Sequence, residues 1–213
     1  MDEPAIPRVA LTTKSVPRDV VPIRFDDFNL VDQAMKHLAD KGRKRVAILT
    51  TPNHTPNYNR ATALAIRRAG LTTEPRWTLR VDHMSSQTAH DVTQLLFDAG
   101  HRDRPDSLLI TDDNLVDEAI AGMIDAGVRS GEVSIVAHCN FPWPKPAKLA
   151  TSRLGYDSRQ VLELCVRTLR DMKCGKAGDA LPPLRPIFEK LLPQRPGKTT
   201  RIRRDIAKAS SSV

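Results

Sequence analysis

Arg104-Pro-Asp-Ser-Leu-Leu-Ile-Thr-Asp112-Asp113 is the stretch from which the architecture follows. Within it Leu108, Leu109 and Ile110 make an unbroken apolar run too short for a helix, the mark of a strand buried on both faces. Directly after it, residues 114–126 place Leu115, Ala119, Met123 and Ile124 at helical spacing and stop at Gly127. A buried strand followed at once by an amphipathic helix is half of a parallel crossover unit.

The same pairing recurs on both sides. Upstream, strand 45–50 precedes a helix over 58–69 with Ala61, Leu64 and Ala65 inward, and strand 77–81 precedes a helix over 87–99 capped by Ser86, with Ala89, Val92, Leu95 and Leu96 inward. Downstream, strand 133–137 runs into an irregular segment, 138–146. A short segment at 149–154 then leads to a helix over 157–173, with Val161, Leu162, Cys165, Leu169 and Met172 inward. Residues 45–137 thus hold four strands and three helices, an α/β unit with a doubly wound parallel sheet. Before it, 8–12 and 20–24 read as extended, and Asn29 caps a helix carrying Leu30, Ala34, Leu38 and Ala39 up to Gly42. The segments 8–25 and 187–192 flank the unit and read as pieces of a second lobe. The expected division is a partial first lobe and crossover (1–28), a complete lobe with return crossover (29–173), and a Pro-rich basic tail (174–213) with a return strand at 187–192.

Of 213 residues 40% are apolar and 27% charged, an ordinary globular composition. No apolar run approaches the roughly 18–20 residues of a membrane span, and Met1-Asp-Glu-Pro-Ala-Ile-Pro7 lacks the basic and apolar regions of a signal peptide. Cys139, Cys165 and Cys174 form no C-x-x-C, which excludes a disulfide scaffold and a cysteine zinc site and predicts a cytoplasmic protein with free thiols. The net charge of +8 is local: residues 173–213 carry ten Lys/Arg against three acids, leaving +1 for residues 1–172. Such a block reads first as a solvated tail; its nucleic-acid reading falls on Arg201, Arg203 and Arg204.

Most chemical motifs fail. No G-x-G-x-x-G follows a strand, so no dinucleotide cofactor is expected. Gly197-Lys-Thr-Thr200 has Leu192 where a Walker A loop needs its first glycine, and no G-x-S-x-G elbow is present. The six histidines form no metal-ligating pair, so no metal is expected. Asp112-Asp113 stands at the carboxyl end of a strand, where open α/β sheets hold ligands. Paired carboxylates there serve a metal or acid–base chemistry, but capping of helix 114–126 by Asp113 with ligand contact by Asp112 is favoured. His138 and Cys139 follow strand 133–137 at the same sheet edge; as adjacent residues they diverge, which favours a ligand-lining over a nucleophilic role. Arg60 opens the helix after strand 45–50, where a guanidinium sits poorly with the helix dipole and so suggests a crevice role, gripping hydroxyls or a carboxylate. Asp26 lies on the crossover facing the same crevice.

Several stretches, in order and spacing over residues 6–173, resemble the effector-binding domain of LacI/GalR-type transcription regulators. They are Ile6-Pro-Arg-Val9, Val21-Pro-Ile-Arg-Phe-Asp26-Asp27, Ala34 through Leu49, Arg60-Ala-Thr-Ala-Leu-Ala65, Arg104 through Asp113, Val133-Ser-Ile-Val-Ala137 and Pro146-Ala-Lys-Leu-Ala-Thr-Ser152. The resemblance implies a two-lobed periplasmic-binding-protein-like fold of type I. It further implies a cleft binding a sugar or related polar metabolite, repressor-type regulation of transcription, a homodimer and no enzymatic activity. DNA contact would come only through a helix-turn-helix head, which this chain lacks, the N-terminal side being truncated relative to the family. By position the implied ligand set is Arg60, Asp112, Asp26, His138 and Asn140. The chain departs from the pattern where the family shows Gly-[Phe/Tyr]-Asp-Asp and this sequence has Ala137-His138-Cys139-Asn140. Losing that acid, while keeping Arg60, points either to a different, anionic effector or to the loss of effector binding. The competing functions are a stand-alone solute-binding protein of the same fold and a small enzyme using Asp112 and His138.

Overall fold

The computed structural model describes residues 6–12, 15–52, 55–82, 85–142, 146–175 and 181–192, apart from the side chain of Ser86. Arg201, Arg203 and Arg204, with the rest of the basic tail beyond 192, lie outside the described residues.

Two strands, β1 (Arg8–Leu11) and β2 (Val20–Ile23), pair in parallel as a small sheet, and helix α1 (Asp27–Asp40) follows. Then come β3 (Val46–Thr50), α2 (Pro56–Arg68), β4 (Thr78–Arg80), α3 (Ser86–Phe97), β5 (Ser107–Ile110) and α4 (Val116–Asp125). The chain continues through β6 (Ser134–Phe141), β7 (Thr151–Asp157), α5 (Ser158–Lys173) and β8 (Ile187–Phe188). The main sheet has the order β4-β3-β5-β6-β7-β8, parallel except for β8. The fold is α/β with a parallel-dominated sheet, as expected.

The apolar run Leu108-Leu109-Ile110 shows why both faces must be covered. Leu108 and Ile110 pack into one core with Ala89 and Phe97 of α3 and Ala119 and Met123 of α4. Leu109, between them, faces the other core with Leu30, Ala34 and Leu38 of α1 and Ala65 of α2. Alternate residues point to opposite sides, so an all-apolar strand demands helices on both. Burying each such leucine contributes about 1.5–3 kcal/mol.

Several expectations are corrected by this packing. The strand at 133–137 does not stop there: β6 runs to Phe141, because β7 pairs with it along its whole length, Ile135 with Thr151 through Phe141 with Asp157. The segment 187–192 does not join β1 and β2. Its first two residues pair antiparallel with β7 and close the edge of the main sheet. Two contacts bring it there. The returning chain is bonded to the first crossover through Leu184 N to Arg24 O (2.8 Å) and Asp26 N to Leu184 O (2.9 Å). Arg153 on β7 then reaches both carboxylate oxygens of Glu189 at 3.2 and 3.0 Å. Leu64, Leu95 and Leu162, assigned inward from spacing, are exposed.

The caps shift as well. Asp26 rather than Asn29 caps α1, its Oδ1 accepting from Asn29 N at 3.0 Å. At α3 the cap position falls on Ser85 rather than Ser86. Among the described residues no helix is long and apolar enough to cross a membrane, and no group of three His, Cys, Asp or Glu could hold a metal ion.

Candidate functional site

The extension of β6 carries His138 and Asn140 past the sheet core on one face, the face of Val136, while Cys139 turns to the other and is buried. In the parallel register Asn140 stands beside Tyr156, and Gly155 beside Cys139. Tyr156 in turn packs on Phe25 of the crossover, with ring centroids 4.6 Å apart and planes tilted by 51°. The His138 ring meets Tyr156 edge-on at 5.9 Å. These groups line a cavity of about 540 Å³ with Asp27 from α1, Leu11 from β1, and Ser158, Val161 and Leu162 from α5. That volume lies within the range of small-molecule sites.

The electrostatics follow from burial. Burial holds the His138 imidazole below its ordinary range, although the nearby carboxylates of Asp113, Asp27 and Asp112 pull it upward. Its Nδ1 is buried without a hydrogen-bond partner among the described residues. Burial also raises the carboxyl of Asp27 against the opposing effects of His138 and of the Tyr156 hydroxyl. That hydroxyl donates to Asp27 Oδ1 over a long 3.4 Å. Burial pushes the Cys139 thiol up to about 12, which leaves it an inert thiol rather than a nucleophile.

The expected site residues divide. His138 and Asn140 come together in the cavity. Asp26 spends its carboxylate on the α1 cap and its neighbour Asp27 lines the cavity instead. The pair at the end of β5 departs from the expected capping by Asp113. Asp112 is the cap, accepting from the backbone N of Asn114 at 3.0 Å and from its side chain at 2.9 Å. Asp113 accepts from Asn140 Nδ2 at 2.7 Å.

Arg60 is exposed and does not line the cavity. Helix α2 begins at Pro56, with Thr55 as its cap, so Arg60 falls in the second turn rather than the first. It is two residues from both Tyr58 and the buried Thr62, about 200° around the helix from that inward stripe. The expected meeting of Arg60 and Asp112 in one pocket is therefore not found in this cavity.

Sequence reasoning missed Phe25, Asp27 and Tyr156. A signal existed for the last, since Leu154-Gly155-Tyr156 continues the strand alternation up to the helix. None separates Asp27 from Asp26, which differ only in which carboxylate meets the first free N–H of α1.

Among solved structures, the chain is similar to a regulatory protein of the LacI family from Chloroflexus aggregans (TM-score 0.71, 22% identity, 85% of this chain and 66% of that one). A LacI family transcriptional regulator from Bifidobacterium animalis subsp. lactis matches at TM-score 0.66 and 17% identity, over 79% of this chain and 62% of that one. A LacI family transcriptional regulator from Lactobacillus casei, solved with bound sucrose, matches at TM-score 0.66 and 15% identity, over 81% and 70%. The chain spans about two thirds of the length of these structures. No protein-family model and no curated protein matches it.

Proposed function

We propose that this chain is the small-molecule-sensing domain of a LacI/GalR-like transcription regulator. The observation that carries this is the cavity itself. It lies beyond the carboxyl ends of β6 and β7, where parallel sheets hold their ligands. It combines apolar and aromatic walls with a few convergent polar groups, as small-molecule sites do. His138, Asn140 and Asp27 are the polar contacts, and Phe25 and Tyr156 the walls. The effector is a small metabolite that carries polar groups, and its chemical class is what the titration below reads. DNA contact belongs to a head domain outside these residues, and a homodimer is the working assembly. An enzyme using Asp112 and His138 gains no support, since the Asp112 carboxylate is taken up by Asn114.

Because the cavity has one wall from the main sheet and another from β1 and α5, an occupant touches both parts of the chain. A ligand that binds one relative placement of the two better than another shifts their equilibrium. That is how occupancy would reach the regulator's DNA-binding side.

Titration with ribose, sucrose and other small polar metabolites, followed through the ring resonances of His138 and Tyr156, tests the proposal. One chemical class is expected to shift them saturably, with affinity about tenfold weaker in Asn140→Ala, the scale of one lost hydrogen bond. A metabolite set that leaves both rings unmoved refutes it.

A further inference from the structure

Resting on the assignment of this cavity as the effector site, we propose that its ligand is a small organic cation, an ammonium group carried on an apolar body.

Among the described residues the lining holds one acid, Asp27, and neither lysine nor arginine. Arg60, the guanidinium that pointed to an anionic effector, lies on the solvent face of α2 and offers no counter-charge inside. The single basic side chain of the lining, His138, is held neutral by burial even though three carboxylates act on it. Among the described residues the charges that act on this ring are all carboxylates, those of Asp113, Asp27 and Asp112. An anion there would meet repulsion without a compensating charge.

Asp27 itself lacks a cation. Among the described residues its carboxylate forms no salt bridge, and its contact with Tyr156 is the long one at 3.4 Å. A half-buried carboxylate with so little compensation is a costly group that a bound cation relieves. Asn140 adds a second acceptor. Its Nδ2 is committed to Asp113, which turns its Oδ1 free to accept.

The walls are of the matching kind. Phe25 and Tyr156, 4.6 Å apart and tilted, both line the cavity, and an aromatic ring attracts a cation through its negative quadrupole. An ammonium brings three N–H donors and no acceptor. It therefore satisfies the Asp27 carboxylate and the Asn140 oxygen, while its apolar body covers Leu11, Val161 and Leu162. A sugar hydroxyl can bond Asp27 but leaves its charge uncompensated.

The test uses the full chain and three probes sharing one body: 3-phenylpropylammonium, 3-phenylpropan-1-ol and 3-phenylpropionate, with sucrose as a fourth. Calorimetry measures affinity, and the His138 and Tyr156 ring resonances report location. The ammonium is expected to bind at least about tenfold tighter than the alcohol, with the carboxylate weakest. Asp27→Asn should bring the ammonium down to the alcohol's affinity, and Phe25→Leu should weaken it by a smaller factor. If the alcohol, the carboxylate or sucrose binds as tightly as the ammonium while moving the same rings, the cavity remains the effector site and the cation proposal is overturned. Ammonium binding that survives Asp27→Asn unchanged also overturns it. If no probe moves either ring, the assignment of the cavity falls together with the proposal.

Discussion

Asn140 Nδ2 donates to Asp113 Oδ2 at 2.7 Å and so ties the end of β6 to the turn that follows β5. Twenty-seven positions apart, the two residues meet because β5 and β6 are parallel neighbours whose carboxyl ends lie side by side.

Asp113→Ala breaks this tie. Both groups are partly solvated, so the cost is expected to be about 0.5–1 kcal/mol in urea unfolding. The same change removes a carboxylate that favours the charged form of His138. The His138 titration midpoint, read by NMR, should move further down; an upward movement contradicts the placement of Asp113 at this site.

His138 makes stability depend on pH on the acid side. Its folded-state midpoint lies below the ordinary 6.5, so the unfolded chain takes up the proton first. The contribution is complete above pH 6.5 and is lost as pH falls below it toward the folded-state value. His37, lowered by burial and by Lys41 and Lys190, acts in the same sense. His138→Gln should flatten part of the slope in unfolding free energy below pH 6.5 and leave the His37 part. An unchanged slope is the contrary result.

Asp27 has the opposite sign. Its folded-state midpoint is raised above 3.8, chiefly by burial, so the native state holds the proton longer than the unfolded one. Stability therefore declines as pH rises from 3.8 through the folded-state value. Asp27→Asn keeps an oxygen for the Tyr156 hydroxyl and removes the buried charge. The variant should be more stable than the parent at neutral pH, with the difference vanishing toward pH 3.8. A variant less stable at neutral pH is the outcome that contradicts this balance.

Gly155 leaves no room for a side chain, because a Cβ there would overlap the Cys139 carbonyl of the adjacent strand. Gly155→Ala must push β7 from β6, and about 3 kcal/mol or more of destabilisation is expected by analogy with overpacked cores. Hydrogen exchange should locate the loss at β6 and β7, beneath the cavity, rather than at β3 and β4.

The order of strands and helices was legible from local pattern alone. Runs such as Val46-Ala-Ile-Leu49 and Leu108-Leu-Ile110 bury both faces, and the stripe of α4 repeats at helical spacing. Hydrophobic periodicity is a local property, and it survives folding because each element must hide its own apolar side. The cavity was not local in this sense. How far β6 runs depends on the hydrogen bonds that β7 supplies, so Ala137-His138 read as a strand end until a partner sixteen residues on held it extended. Which aspartate of each pair caps a helix, and that Asp27 rather than Asp26 lines the cavity, was decided by sub-residue differences in backbone direction, invisible to composition. Arg60 and Asp27 changed places for the same reason: helix phase, set by where Pro56 and Asp27 begin their helices, turned one side chain to solvent and the other inward. Sequence determined which elements exist; tertiary pairing and helix phase decided which of their polar side chains share a cavity, because both depend on contacts with residues far along the chain.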